Sequence, residues 1–440
     1  MSTNNDPVFV RRRLIALGVA ILVAVLVVAL CVGKFWGGGD DSADGSSGSA
    51  TSSSGERKDP GKDKKDASDK KDSSPEPTKA TKVESPAPKP SPEVKQGKKA
   101  KPADSDPVQI QRLSGEMSPK SVVASAKGQV FAQNMMYTHT MSVFTADGAL
   151  QKTIPDSVDL SKFGVKGHEG KSQGAPVEMA YSPDGETAWV SNYNMYGDGF
   201  LPEGKDACVD ESGISNSYLY KVDTKSLKIT DVIEVGAVPK YVATTHDGAK
   251  VLVTNWCSMD MSVVDTKSGK VTDSIELGGK HPRGIAVSPD DKTAYVALMG
   301  DDRTVKVDLD SGEVSDFAST GGGPRHLLMS PDGSKVYVSN NGEGTVSEVD
   351  AKSGEVTREV TVGDEPRSMT ISPDGGAIYV GNYESSTMSK IRTKDFEVTH
   401  TEQVDALPIG ITYEPTKKRV WVASYGGTIV VFDDSRTADE

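Results

Sequence analysis

Between Val108 and Asp434, apolar and polar residues alternate in short runs broken by Gly, Pro, Asp and Ser, the period-two pattern of strands joined by tight turns. One phrase recurs along this stretch. It reads SPDGETAWVSNY from Ser182, THDGAKVLVTNW from Thr245, SPDDKTAYVALM from Ser288, SPDGSKVYVSNN from Ser330, SPDGGAIYVGNY from Ser372 and EPTKKRVWVASY from Glu414, and a degenerate copy, SAKGQVFAQNM, begins at Ser125. Successive starts lie 57, 63, 43, 42, 42 and 42 residues apart, so the unit is about 42 residues and the first two copies carry insertions. Each unit has a proline-containing entry, an apolar strand, the SPDG turn, a strand such as KVYVSN, a strand such as TVSEVD, a Lys-Ser-Gly turn and a closing strand such as EVTREVTV. Four antiparallel strands repeated seven times predict an all-β, seven-bladed β-propeller over 108–434, since a helical repeat would show a 3.6-residue period. The last copy stops after TIVVFDD without its outer strand, and VQIQRL at Val108–Leu113 has strand character. The N-terminal strand is therefore expected to complete the last blade and remove the open edge.

One position after each SPDG-type turn carries a large apolar side chain: Trp189, Leu252, Tyr295, Tyr337, Tyr379 and Trp421, with Phe131 nearby in the first copy. They are expected to form blade-to-blade core.

The N-terminal quarter is built differently. After residues 1–13, read as a short cytoplasmic N-terminus, LIALGVAILVAVLVVALCV from Leu14 to Val32 is uncharged and long enough to cross about 30 Å of hydrocarbon. Arg11–Arg13 precede it and acidic residues follow, so a transmembrane signal anchor over 14–33 is expected, with the N-terminus cytoplasmic and the propeller extracellular. A cleaved signal peptide is the competing reading; a lipidated Cys31 is not favoured, because Leu30 before it is too large. Residues 34–107, rich in Gly, Ser, Lys, Asp and Pro, cannot offset their ordering entropy by burial and are read as a disordered linker; residues 435–440 are read as a tail.

Charge follows the same division. The whole chain carries −13, of which +3 falls in 1–36, nothing in 37–106 and −16 in 107–440. So acidic a propeller argues against nucleic acid as a partner. No nucleotide, metalloprotease or serine-hydrolase motif occurs, and no cofactor is called for by the sequence.

The SPDG turn followed by YVSN or YVGN, the Pro-Arg entry and the Asp-x-Lys-Ser-Gly turn together resemble the bacterial YVTN-type β-propeller repeat family across 108–434. The resemblance implies a secreted or surface propeller. Related propellers include lactonase-like enzymes and haem d1 domains, so it implies little about activity.

In such a blade the SPDG and Lys-Ser-Gly turns share one face. The blade-to-blade entry and the loop between second and third strands share the other, where both insertions fall, Pro155–Gly174 and Asn194–Asn216. Cys208 lies in the second insertion and Cys257 in the equivalent loop of the next blade, so outside the membrane a disulfide is expected, with two free thiols as the alternative. The residues after the entry prolines are Lys120, Val177, Lys240, Arg283, Arg325, Arg367 and Ile409. The five basic ones either form an anion-binding ring at the channel mouth or anchor neighbouring blades. Tyr193, Trp256, Tyr383 and Tyr425 follow the second strands and are candidate contacts for a protein or a cell-envelope glycan. Asn134, Asn192, Asn255, Asn340 and Asn382 just before that position are read as turn-forming. His281 and His326 are better read as polar loop residues than as ligands, although His326 stands beside the ring, and the acidic insertion lacks calcium-loop spacing. The expected function is a membrane-anchored binding module acting through the insertion-bearing face. A lactonase-like hydrolytic propeller is the alternative, and a haem or redox propeller a weaker one.

Overall fold

A computed structural model describes residues 98–201, 208 and 213–437. The proposed anchor at 14–33 and most of the linker lie outside the described residues. Among those described, no helix is long and apolar enough to cross a membrane.

Seven antiparallel sheets are present. Blade 1 holds Ser121–Ala124, Gln129–Asn134, Thr140–Thr145 and Leu150–Pro155, and blade 2 holds Ser172–Tyr181, Thr187–Tyr196, Ser217–Asp223 and Lys228–Val235. Blades 3 to 6 begin at Pro239, Pro282, Pro324 and Pro366, each with four strands in sequence order from inside to outside. Blade 7 takes Pro408–Glu414, Arg419–Ser424 and Thr428–Asp433 from the C-terminus and its outer strand, Val108–Ser114, from the N-terminus, in a register that runs from Val108 opposite Asp433 to Ser114 opposite Thr428. The closure expected from the sequence is thus present.

The repeated aromatic position is core. Phe131, Trp189, Leu252, Tyr295, Tyr337, Tyr379 and Trp421 are all buried, and the apolar clusters join neighbouring sheets, as where Leu252 and Met261 of blade 3 pack with Ile285 and Val296 of blade 4. Blade-to-blade packing is what holds a propeller together, because each sheet has two apolar faces and no other partner.

The SPDG turns are self-sufficient. In each, the serine hydroxyl donates to the aspartate, at 2.5 Å in Ser182–Asp184 and 2.6 Å in Ser330–Asp332, and the glycine takes the left-handed conformation, with φ of 71° at Gly185 and 73° at Gly333. Blade 4 has Asp291 at this position with φ 57°, and its carboxylate accepts from the backbone amides of His246 and Asp247 in blade 3 at 2.7 and 2.8 Å. That inter-blade contact is a reason for an acid where glycine is easier. The recurring asparagines are buried rather than loop-borne. Asn340 Nδ2 donates to Thr345 and Ser347 hydroxyls at 3.0 and 2.9 Å, and Asn382 repeats this on Thr387 and Ser389, fixing the hairpin from second to third strand.

Two features depart from the repeat. The first insertion adds a short fifth strand, Ser157–Val158, to the inner edge of blade 2, followed by a 3-10 helix at Leu160–Phe163. The second departure is at the N-terminus, where order begins earlier than expected. Lys98–Asp106, assigned to the linker by composition, pairs with the C-terminal tail through Lys99–Arg436 and runs over the face of the SPDG turns, where Ala103 touches the Gly376 turn. What holds it is a buried pair. Lys390 and Asp434 side chains are both 0% exposed and 3.2 Å apart, and Ser105 donates to Asp434 at 2.7 Å while accepting from Lys390 at 2.8 Å.

Candidate functional site

In blades 3 to 7 the innermost strand opens with proline, and the backbone bulges just after it, as between Pro239 and Tyr241, Pro324 and Leu327, and Pro366 and Ser368. A bulge re-aims the side chain it carries. Lys120, Lys240, Arg283 and Arg325 accordingly sit buried at the mouth of the channel, and Arg367 is half-buried beside them. Glu178 Oε1 lies 3.6 Å from Lys120 Nζ, and Glu365 Oε2 lies 2.6 Å from Arg367 Nη2. Among the described residues Lys120 Nζ and Arg325 Nε have no hydrogen-bond partner, although Arg325 Nη1 points at Met299 Sδ, 3.8 Å away.

Burial and mutual repulsion set the electrostatics. Burial, then Arg283, drives the Lys120 ammonium well below its usual pKa, against the pull of Glu178. Burial and the Arg283 and Arg367 charges likewise work against ionised Arg325, while burial pushes the Glu178 carboxyl up despite Lys120 and Arg283 beside it. His326 falls to about 3 through burial, with Arg283, Arg325 and Lys120 adding to it, so it is neutral; its Nε2 and the Tyr241 hydroxyl are 3.1 Å apart. Uncompensated buried cations are costly, and proteins keep such arrangements chiefly at functional sites.

The four candidate aromatics stand against these cations. Lys240 Nζ is 4.3 Å from the Tyr193 ring and 5.2 Å from Trp256, Arg283 is 6.0 Å from Trp256, and Arg367 is 3.3 Å from Tyr383, whose ring meets Tyr425 edge-on at 5.9 Å. Contacts for a protein or glycan would stand exposed. Instead Tyr193 is buried and the other three are half-buried, because their faces attract the neighbouring cations. The basic and the aromatic sets are therefore one cluster. His281 joins it by stacking on Trp256 at 4.4 Å.

Cys208 and Cys257 form the expected disulfide, with Cα atoms 5.2 Å apart, which fixes the second insertion beside Trp256 at the mouth. Among the described residues no group of three or more His, Cys, Asp or Glu side chains is arranged for a metal ion.

Below the mouth lies a cavity of about 350 Å³ lined by the innermost strands, with Ser121, Glu178, Tyr241 and His326 among its walls. These residues stand one place beyond the basic ring, at positions that vary in chemistry from blade to blade. Glu178 and Tyr241 had no periodic signal to mark them; reading two residues beyond every entry proline, Pro176 as well as Pro239, would have found them. Gly284 and Gly410 occupy the same row where strands approach most closely: a methyl group on Gly284 would lie 2.7 Å from Arg325 O, and one on Gly410 2.8 Å from Ser121 Cα.

The sequence profile of the family described as Lactonase, 7-bladed beta-propeller matches residues 167–358 and 329–395, more than half of the chain. No curated protein matches. Among solved structures, hydrazine synthase of Kuenenia stuttgartiensis is similar with a TM-score of 0.58 and 16% identity, over 76% of this chain and 99% of that one, a likeness of fold alone.

Proposed function

The chain belongs to the seven-bladed β-propeller lactonase family, and from that premise we propose that its channel mouth binds a small organic anion carrying carboxylate or phosphate groups. The observation that carries this reading is the buried cation cluster: among the described residues Lys120 Nζ and Arg325 Nε have no hydrogen-bond partner, and the carboxylate of Glu178 lies 3.6 Å from Lys120. An anion seated among them would relieve their repulsion and take the planar fork of an arginine two oxygens at a time. The cation-facing set of Tyr193, Trp256 and Tyr383 forms the rim. Recognition of a protein or envelope glycan by the insertion-bearing face remains compatible with this reading but draws less support, since those rings already serve the cations. Calorimetric titration of the purified protein with citrate, inorganic phosphate and neutral sugars tests it: saturable binding of an anion, weakened at least tenfold in Arg325→Gln, is expected, and binding of neutral sugars alone would contradict it.

A second reading is favoured by Glu178. A carboxyl raised towards neutrality beside cations that can stabilise an oxyanion is the equipment for adding water to a lactone carbonyl, with Glu178 taking the proton from water. In this reading Glu178→Gln abolishes lactone turnover and leaves anion binding in place. Placement at the cell surface through the segment 14–33, single-pass with the N-terminus inside, is part of the proposal. Lys98–Asp106 runs over the SPDG face of the ring, the face opposite the mouth.

A further inference from the structure

The register of the outer strands aligns Asp156 with Val235, Leu277, Thr320, Val362 and Val404, the residues that lead from one blade into the next. Only the junction entering blade 2 has a carboxyl there. Asp156 is 0% exposed, and among the described residues neither its carboxylate oxygens nor Asn192 Oδ1 accept a hydrogen bond of normal geometry, although the Tyr220 hydroxyl and the Gly174 amide approach the carboxyl. A methyl group on Gly174 would lie 2.3 Å from Asn192 Oδ1 and 2.6 Å from Asp156 Oδ2, so both occupy the space that a glycine leaves. Asn192 cannot turn its amide to help, because its Nδ2 donates to Tyr218 O at 3.0 Å.

Two acceptor oxygens set around one glycine repel one another where no proton lies between them. The ring contains its own control. At the aligned junction of blade 5 the Thr320 hydroxyl donates to Asn340 Oδ1 at 2.8 Å, from the same position to the same asparagine of the repeat. Asp156 can make that bond only as the carboxylic acid.

We propose that Asp156 is a proton-operated latch: protonated, it donates to Asn192 Oδ1 and holds the 157–173 insertion against blade 2, and its ionisation releases that insertion. The groups around it offset an ionised carboxyl only in part: the Tyr220 hydroxyl and the Gly174 amide approach it, but no cation does. Tyr220 faces it from the third strand of blade 2 with its hydroxyl turned to Met195 Sδ at 3.7 Å, and His139 of blade 1 meets it through backbone, its carbonyl accepting from the Asp156 amide and its Nδ1 donating to the Gly174 carbonyl at 2.9 Å. Burial raises the Asp156 carboxyl to about 7, against weaker opposing contributions from Tyr220 and Gly174 and with no cation among the causes, which puts the latch in the physiological range. The innermost strand that carries Gly174 also carries Glu178, so the latch and the mouth share a strand.

The test compares the full chain with Asp156→Thr, which installs the blade 5 arrangement, by chemical unfolding from pH 4 to 9. A folded-state pKa above the unfolded one means that stability is highest in acid and is lost as pH rises to about 7. The folding equilibrium constant of the native chain should therefore fall about tenfold per pH unit across that window, relative to Asp156→Thr, and run parallel to it above. An infrared band of a protonated carboxyl that is present at pH 6 and absent from Asp156→Asn is expected as well, and needs no unfolding. Parallel stability profiles at all pH values would overturn the proposal. So would stabilisation of the native chain, but not of Asp156→Thr, by millimolar calcium, which would place a cation where the proton is assigned.

Discussion

The two faces of the ring treat charge in opposite ways. On the face of the SPDG and Lys-Ser-Gly turns, each acid is held by its own loop: serine hydroxyls and backbone amides keep Asp184, Asp332, Asp308 and Asp350 below the usual carboxylate range. A buried pair on that side, Lys390 with Asp434, is tied further by Ser105 and by the Tyr379 hydroxyl. At the mouth, by contrast, burial works against ionised Lys120, Arg325 and Glu178 alike, and among the described residues Lys120 Nζ and Arg325 Nε lack hydrogen-bond partners. Charge on the first face serves the fold. Charge on the second costs stability and is therefore the place to look for a ligand.

Removing a partner should consequently be severe on one face and mild on the other. Asp434→Ala leaves Lys390 buried and uncompensated, and should cost about 3–5 kcal/mol in chemical unfolding while freeing Lys98–Asp106 to proteases. Replacing Cys208 and Cys257 by serine reopens a loop with a sequence separation of 49 and should cost about 4 kcal/mol, with a further loss of anion affinity because Trp256 is no longer fixed. Arg325→Gln should leave stability unchanged or raise it by up to about 1 kcal/mol while weakening the anion, whereas Arg367→Gln, which loses both Glu365 and the Tyr383 face, should cost about 1 kcal/mol. A loss of stability in Arg325→Gln equal to that in Arg367→Gln would mean that the basic ring only anchors blades. The smallest effect belongs to the exposed turns. Asp332, held at about 2 by the Ser330 and Ser334 hydroxyls and an amide, adds stability that is present above its unfolded pKa and lost as pH falls through 4 towards 2; Asp332→Asn should remove that part of the acid slope and shift the melting point by about 1 °C at neutral pH.

How much the sequence disclosed follows from where periodicity reaches. The 42-residue phrase made the seven sheets, their core aromatics and the closing strand at Val108 legible, and the entry prolines exposed the basic ring. Glu178 and Tyr241 were hidden because their row alternates Ser, Glu, Tyr, Gly and His with no repeat to mark it. Asp156 escaped because its equivalence to Thr320 is a matter of strand register across an insertion. Lys98–Asp106 reads as spacer by composition, and only the three-dimensional meeting of Ser105, Lys390 and Asp434 reveals that it docks.

The most direct test of the mouth is proton-linked binding. Lys120 is driven below its usual pKa by burial and by neighbouring cations, so an anion seated beside it must raise that pKa again and draw in a proton wherever the amine is partly neutral. Citrate titrated into the protein at alkaline pH, in two buffers of different ionisation enthalpy, should show saturable binding with proton uptake, and the uptake should vanish in Lys120→Met. Binding with the same affinity and no proton uptake in both proteins, or no saturable binding at all, would contradict the account.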